Sequence, residues 1–196
     1  MLDVQPITLV GELVRLEPLQ LAHAEELLAI GQEQEIWAYM FSNPSHSLAD
    51  MQSYVNEALR QQETGAQLSF LIRARASEQA LGMTSYLTLE PYHRGLEIGA
   101  TWLCSAGRRT GVNTECKYLL LRHAFETLGA IRVQLKTDSR NLRSQRAIER
   151  IGAIKEGVLR NHMIVQGGYY RDSVYYSIID SEWPQVKEHL LTKLAR

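Results

Sequence analysis

The sequence predicts a mixed α/β fold around one central sheet, and three observations predict it. Apolar residues make up 45% of the 196-residue chain and charged residues 22%, the mix of a globular protein with a sizeable core. Segments with apolar period 2 alternate with segments of period 3.6. One long helical segment separates two strand segments, the pattern of a crossover that leaves its flanking strands parallel.

The elements follow in order. Val14 to Pro18 reads as a short strand, and Leu21, Ala24, Leu27, Leu28 and Gly31 form a helical face. Ser47 and Asp50 make an S-x-x-D capping box, so a second helix starts there and carries Met51, Val55 and Leu59. Three strands come next: Leu68 to Ala74, Met83 to Leu89, and Leu96 to Cys104. Their hairpin-length spacing makes them antiparallel neighbours. A helix over 112–128 and a strand over 131–137 complete the crossover. A short helix over 142–151 ends at Gly152, a natural residue after a helix C-terminus. Strands around Ile154–Val158 and Arg171–Ile179 and a helix over Trp183–Leu194 finish the chain.

No repeat or Pro/Gly/Ser-rich linker interrupts this order, so residues 1–196 are expected to form a single domain. The N-terminus lacks a basic, then apolar, leader, and no run approaches the ~18 apolar residues of a membrane span. Two cysteines, Cys104 and Cys116, make no disulfide framework, and six scattered histidines have no ligand spacing, so no metal is expected. A cytoplasmic protein without a membrane partner is the expectation.

The formal net charge of −1 conceals a segregation. Residues 1–100 hold 5 Lys/Arg against 13 Asp/Glu, and residues 101–160 hold 12 against 5. The basic block contains the most informative loop, from Trp102 to Glu115, between a strand and the long helix. A helix start exposes about four unpaired N–H groups at the positive end of its dipole, a site for anions. Gly107 and Gly111 permit close backbone curvature, and Arg108 and Arg109 add charge. The loop reads chemically as a pyrophosphate cradle, although it is neither a P-loop nor a dinucleotide fingerprint.

The run RRTGVNTE from Arg108 to Glu115 resembles the acetyl-CoA signature R/Q-x-x-G-x-G/A of the GNAT N-acetyltransferase superfamily. Further blocks match in order: LEIGATWL from Leu96, YLLLRHAF from Tyr118, TDSRNLRS from Thr137, EGVLR from Glu156 and GYYRDSVY from Gly168. Together they resemble the RimJ/RimL-like, ribosomal-protein-alanine acetyltransferase branch. One departure stands in the loop, where Asn113 replaces the third small residue.

The resemblance implies a GNAT fold: a mostly antiparallel sheet with one splayed parallel strand pair, flanked by helices. It implies acetyl-CoA as co-substrate and direct transfer of the acetyl group to a primary amine in a ternary complex. The acceptor would be a protein N-terminus or a small amine. The pantetheine arm would lie against the backbone of Trp102, Leu103 and Cys104. The pyrophosphate would meet Arg108, Arg109, Thr110, Gly111, Val112, Asn113 and Thr114, with Asn141 contacting the arm. Glu97, on the face opposite Ile98 and Trp102, is the candidate base. Many relatives use a tyrosine as acid, but that position is Ile148 here, and Ser144 is the candidate instead. The first helices would line the acceptor groove, where Trp37, Tyr39 and Phe41 accompany Glu33 and Glu35.

His123 and both cysteines read as core residues, and Arg171 with Asp172 reads as an ion pair orienting the last strand. A catalytically silent CoA-binding relative is a second reading. A nucleic-acid module using the basic block is a third, disfavoured because no Phe, Tyr or Trp lies between Arg132 and Arg160. Monomer and homodimer are both compatible with the sequence.

Overall fold

Alternating apolar side chains in the strand segments build one eight-stranded sheet, ordered β1-β2-β3-β4-β5-β6-β8-β7. The structure is a computed structural model and describes residues 1–195. The strands are β1 (Leu9–Val10), β2 (Val14–Pro18), β3 (Leu68–Ala74), β4 (Ala80–Glu90), β5 (Gly95–Leu103), β6 (Arg132–Asp138), β7 (Ile154–Val165) and β8 (Tyr169–Ile179). Every pairing is antiparallel except β5 with β6.

Helices cover both faces. On one side, α4 (Val112–Arg122) and α6 (Trp183–Leu194) enclose a core with Leu16, Phe70, Tyr86, Ile98 and Val133. On the other, α1 (Ala24–Ile30), α2 (Gln34–Trp37) and α3 (Leu48–Glu63) pack on Leu71, Met83 and Trp102. The Ser47 hydroxyl accepts the Asp50 N–H at 3.1 Å and donates to the Asp50 carboxylate, so α3 starts where its capping box predicts. The helix α5 (Leu142–Arg150) begins at Asn141, whose Oδ1 accepts the Ser144 N–H, and gives way to Gly152 at φ +98°.

Several features depart from the sequence reading, beginning with the two-residue edge strand β1, too short to show alternation. The four-residue α2 has too few turns for a periodic signal. The strand β7 runs to Val165 rather than Val158, its continuity hidden by register shifts between Leu159 and Met163. In β5, Ala100 adopts φ +47°, and the register with β4 shifts by one residue between Gly99 and Trp102. This bulge inverts the alternation beyond it. Trp102 therefore pairs with Met83 on the same face as Glu97, which pairs with Leu87, whereas Ile98 lies opposite with Tyr86. Glu97 is opposite Ile98 as expected, but not opposite Trp102.

Candidate active site

The parallel contact between β5 and β6 lasts three rungs, from Gly95 opposite Arg132 to Glu97 opposite Gln134. Beyond it both strands continue without pairing to each other, so they splay. The bulge at Ala100 lies just beyond the last rung, in the stretch of β5 no longer paired to β6. A cavity of about 910 Å³ opens in the gap, lined by Glu97 to Leu103 on one side and Leu135 to Asp138 on the other. Unpaired strand edges offer N–H and C=O groups to an extended ligand, as in strand addition.

The α4 N-terminus closes one end. The N–H groups of Gly111, Asn113 and Thr114 meet no protein acceptor among the described residues, while Val112 N–H donates to the Thr110 hydroxyl at 3.2 Å. Arg109, exposed at φ +58°, lines the cavity with Thr110 and Asn113. Arg108 also lines it but is already engaged. Its Nε donates to the Leu103 carbonyl at 2.8 Å and its NH1 to the Glu33 carboxylate at 2.9 Å. Glu33 also accepts the Ser105 N–H at 2.8 Å, and that bond leads in holding its carboxyl below the usual range. The Arg108–Glu33 pair thus fastens the loop to the start of α2. Cys104, Val112 and Thr114 turn their side chains into the buried interior, and a Cβ on Gly111 would meet Leu13 Cδ1 at 2.7 Å.

Glu97, 2% exposed, faces this cavity from β5. Its Oε2 accepts from Lys136 Nζ at 2.9 Å and from Gln134 Nε2 at 3.0 Å. Two donors converging on one oxygen hold the buried carboxylate in one orientation. Ser144 and Asn141 reach the same cavity from the start of α5, with Ile148 one turn further on. Tyr39 and Phe41 line the cavity on the α2 side. Trp37 does not: it is 2% exposed, its Nε1 donates to the Gly31 carbonyl at 2.8 Å, and its ring packs on Trp102 at 5.1 Å. Its role visible here is to support the helical wall from beneath.

Several lining residues escaped sequence reasoning. Arg143, Arg146 and Arg150 line the cavity from α5, and their i, i+3, i+7 spacing on one helical face was a usable signal. Lys136 gave no signal, because its contact with Glu97 depends on the parallel register. Lys117 is buried with its Nζ donating to Thr101 Oγ1 at 2.7 Å, and burial pushes its ammonium down to about 8. Arg171 also lines the cavity, and the expected pair with Asp172 does not form, since no ion pair joins them. Cys116 is buried and its thiol is pushed up to about 12 by burial, the setting of an inert thiol. His123 Nδ1 meets the Tyr86 hydroxyl at 3.2 Å in the core, away from the cavity.

Comparison with known proteins gives a consistent result. Residues 14–154 match the family described as Acetyltransferase (GNAT) domain. The chain is 30% identical over 179 residues to the "Putative ribosomal N-acetyltransferase YdaF" of Bacillus subtilis (strain 168), covering 89% of this chain and 95% of that protein. It is similar to a GCN5-related N-acetyltransferase from Brucella melitensis, with TM-score 0.90, 28% identity, and coverage of 96% and 86% of the two chains. The fold is also that of Mycobacterium smegmatis RimJ in complex with CoA-disulfide, with TM-score 0.81, 22% identity, and coverage of 97% and 96%.

Proposed function

The chain belongs to the GNAT acetyltransferase family, and from that premise we propose that it moves an acetyl group from acetyl-CoA to a primary amine by direct transfer in a ternary complex. The observation that carries the reading is one continuous cavity. It joins unpaired strand backbone, a helix start with free N–H groups, and the buried carboxylate of Glu97.

These residues fit acetyl-CoA. The N–H groups of Gly111, Asn113 and Thr114 and the positive helix end suit a diphosphate, with Arg109 adding an exposed charge. Arg143, Arg146 and Arg150 supply further cations along the wall. The backbone edge of Ala100 to Trp102 that is turned away from β4 suits an amide-bearing arm, and Asn141 can cap α5 and face that arm at once. Acetyl-CoA supplies an acyl group already activated as a thioester. The protein then has to hold the amine beside it, remove a proton, and exclude competing water.

In this reading Glu97 takes the amine proton, directly or through one water; what supports it is a buried carboxylate on the cavity wall, held by Lys136 and Gln134. The Ser144 hydroxyl is the candidate donor to the leaving sulfur. Neither requires the missing tyrosine. Glu97→Gln should lower kcat about 100-fold while leaving the acetyl-CoA KM within about two-fold. An unchanged kcat would return Glu97 to a structural role.

The protein-N-terminus acceptor draws support from the relative named a ribosomal N-acetyltransferase. Ile148 favours one competing reading, a silent CoA-binding protein. A CoA-release assay over N-terminal peptides, amino acids, polyamines and aminoglycosides separates the two. Amine-dependent release is expected; tight acetyl-CoA binding with no release from any amine would select the silent reading.

A further inference from the structure

The acceptor end of the cavity holds a charge that the protein leaves unbalanced. Arg171, on β8, is 5% exposed, lines the cavity, and approaches the Phe41 ring at 5.5 Å. Its Nε is sealed from solvent and has no hydrogen-bond partner among the described residues. The charged groups around it are Asp138, Glu97 and Arg140. Each of the two carboxylates is already engaged. Asp138 is closed by a fork from Arg140, with Nε at 2.9 Å and NH2 at 2.7 Å, and also accepts the Arg140 N–H. Glu97 Oε2 holds Lys136 and Gln134. Asp172, next in sequence, accepts the Asn161 N–H at 2.7 Å instead of pairing with Arg171.

A guanidinium stays protonated in proteins, so it cannot escape burial by losing its proton. Burial already pulls Arg171 below its ordinary value. The Phe41 ring face offers a cation–π contact, which compensates only a small part of the desolvation. A buried, unpartnered fork donor at the edge of a ligand cavity is a site for a planar anion.

The two glutamates at the start of α2 are differently employed. Glu33 is spent on Arg108 and Ser105, whereas Glu35 stays exposed at the rim of the cavity, 3.8 Å from Arg108; the buried wall beside Phe41 presents Arg171. Resting on the acetyltransferase reading of this cavity, we propose that Arg171 binds a carboxylate on the acceptor: the substrate is an amine that carries a carboxylate within reach of its amino group. The fork fixes that carboxylate and thereby turns the amine toward Glu97.

Two sources of carboxylate can be separated with matched acceptors. The first pair is alanine and alaninamide; the second is Ser-Glu-amide and Ser-Gln-amide. At saturating acetyl-CoA, the carboxylate member of at least one pair should show a kcat/KM at least tenfold higher. The pair that responds identifies the source. Arg171→Gln should bring the ratio to near one, and Arg171→Lys should give an intermediate value, because it keeps charge but loses the fork.

Ratios near one in the wild type, or a preference that survives in Arg171→Gln, would overturn the proposal. So would a raised acetyl-CoA KM in Arg171→Gln with acceptor preference intact. Where no member releases CoA, titration of the same pairs into CoA-loaded protein reads the preference directly, and its absence there also overturns the proposal. Failure of the acetyltransferase reading looks different: CoA itself would not bind. The ligand-free protein provides a further check. Removing an uncompensated buried charge should leave the melting temperature of Arg171→Gln unchanged or raised. A large fall would mean the guanidinium is balanced within the fold.

Discussion

Burial of Lys117 has a consequence that can be measured without any ligand. The ammonium ordinarily titrates near 10.5, and burial lowers this to about 8 in the folded protein. Between those values the unfolded chain holds a proton that the folded chain has released. Folding stability therefore rises with pH across that window, and the charge penalty is fully present below about pH 8. Lys117→Met removes the penalty. Its stability relative to wild type should be highest near pH 7 and decline by about 2–3 kcal/mol on approaching pH 10. Chemical denaturation at several pH values measures this, and a difference independent of pH would show that the amine is not desolvated. Asn141 teaches the complementary lesson. Its cap on α5 is local chemistry, three residues wide, and was legible from sequence. The Arg108–Glu33 pair spans 75 residues and was not.

At the scale of elements, one carboxylate joins two distant parts of the chain. Glu115, on α4, is buried and accepts the N–H groups of Glu12, Leu13 and Val14 at 2.8, 2.7 and 2.8 Å. Those bonds tie the turn between β1 and β2 to the helix whose N-terminus closes the cavity. Glu115→Ala would orphan three donors at once. It should cost about 3–5 kcal/mol, and thermal unfolding should begin about 10 °C lower. A loss under 1 kcal/mol would mean that water replaces the carboxylate freely. The crossover around this helix was legible because strand, helix and strand each keep their own period over many residues. The bulge in β5 was not. Alanine at position 100 carries no turn signal, and counting alternate residues assumes an unbroken strand, so Trp102 was assigned to the wrong face.

Across the whole molecule, the charge segregation resolves into two different uses. In the acidic half, Glu17 and Glu26 pair with Arg73, and Glu33 pairs with Arg108, so much of that charge works inside the fold. In the basic block, Arg109, Arg143, Arg146 and Arg150 line a single cavity. The family and the candidate base could be reached from sequence motifs. At the proposed acceptor end Tyr39 and Phe41 could be reached too, but Asp138 and Arg171 could not, because only the folded sheet brings β6 and β8 beside the segment after α2.

The central claim is that the start of α4 receives the acetyl-CoA diphosphate. Asn113→Asp tests it with a nearly isosteric change. A carboxylate in the first turn of a helix favours the fold through the helix dipole, so stability should hold or rise. The same charge beside a diphosphate repels it, and calorimetric titration should show acetyl-CoA binding one-to-one to wild type and at least about tenfold more weakly to Asn113→Asp. Equal affinities in the two proteins would contradict the account.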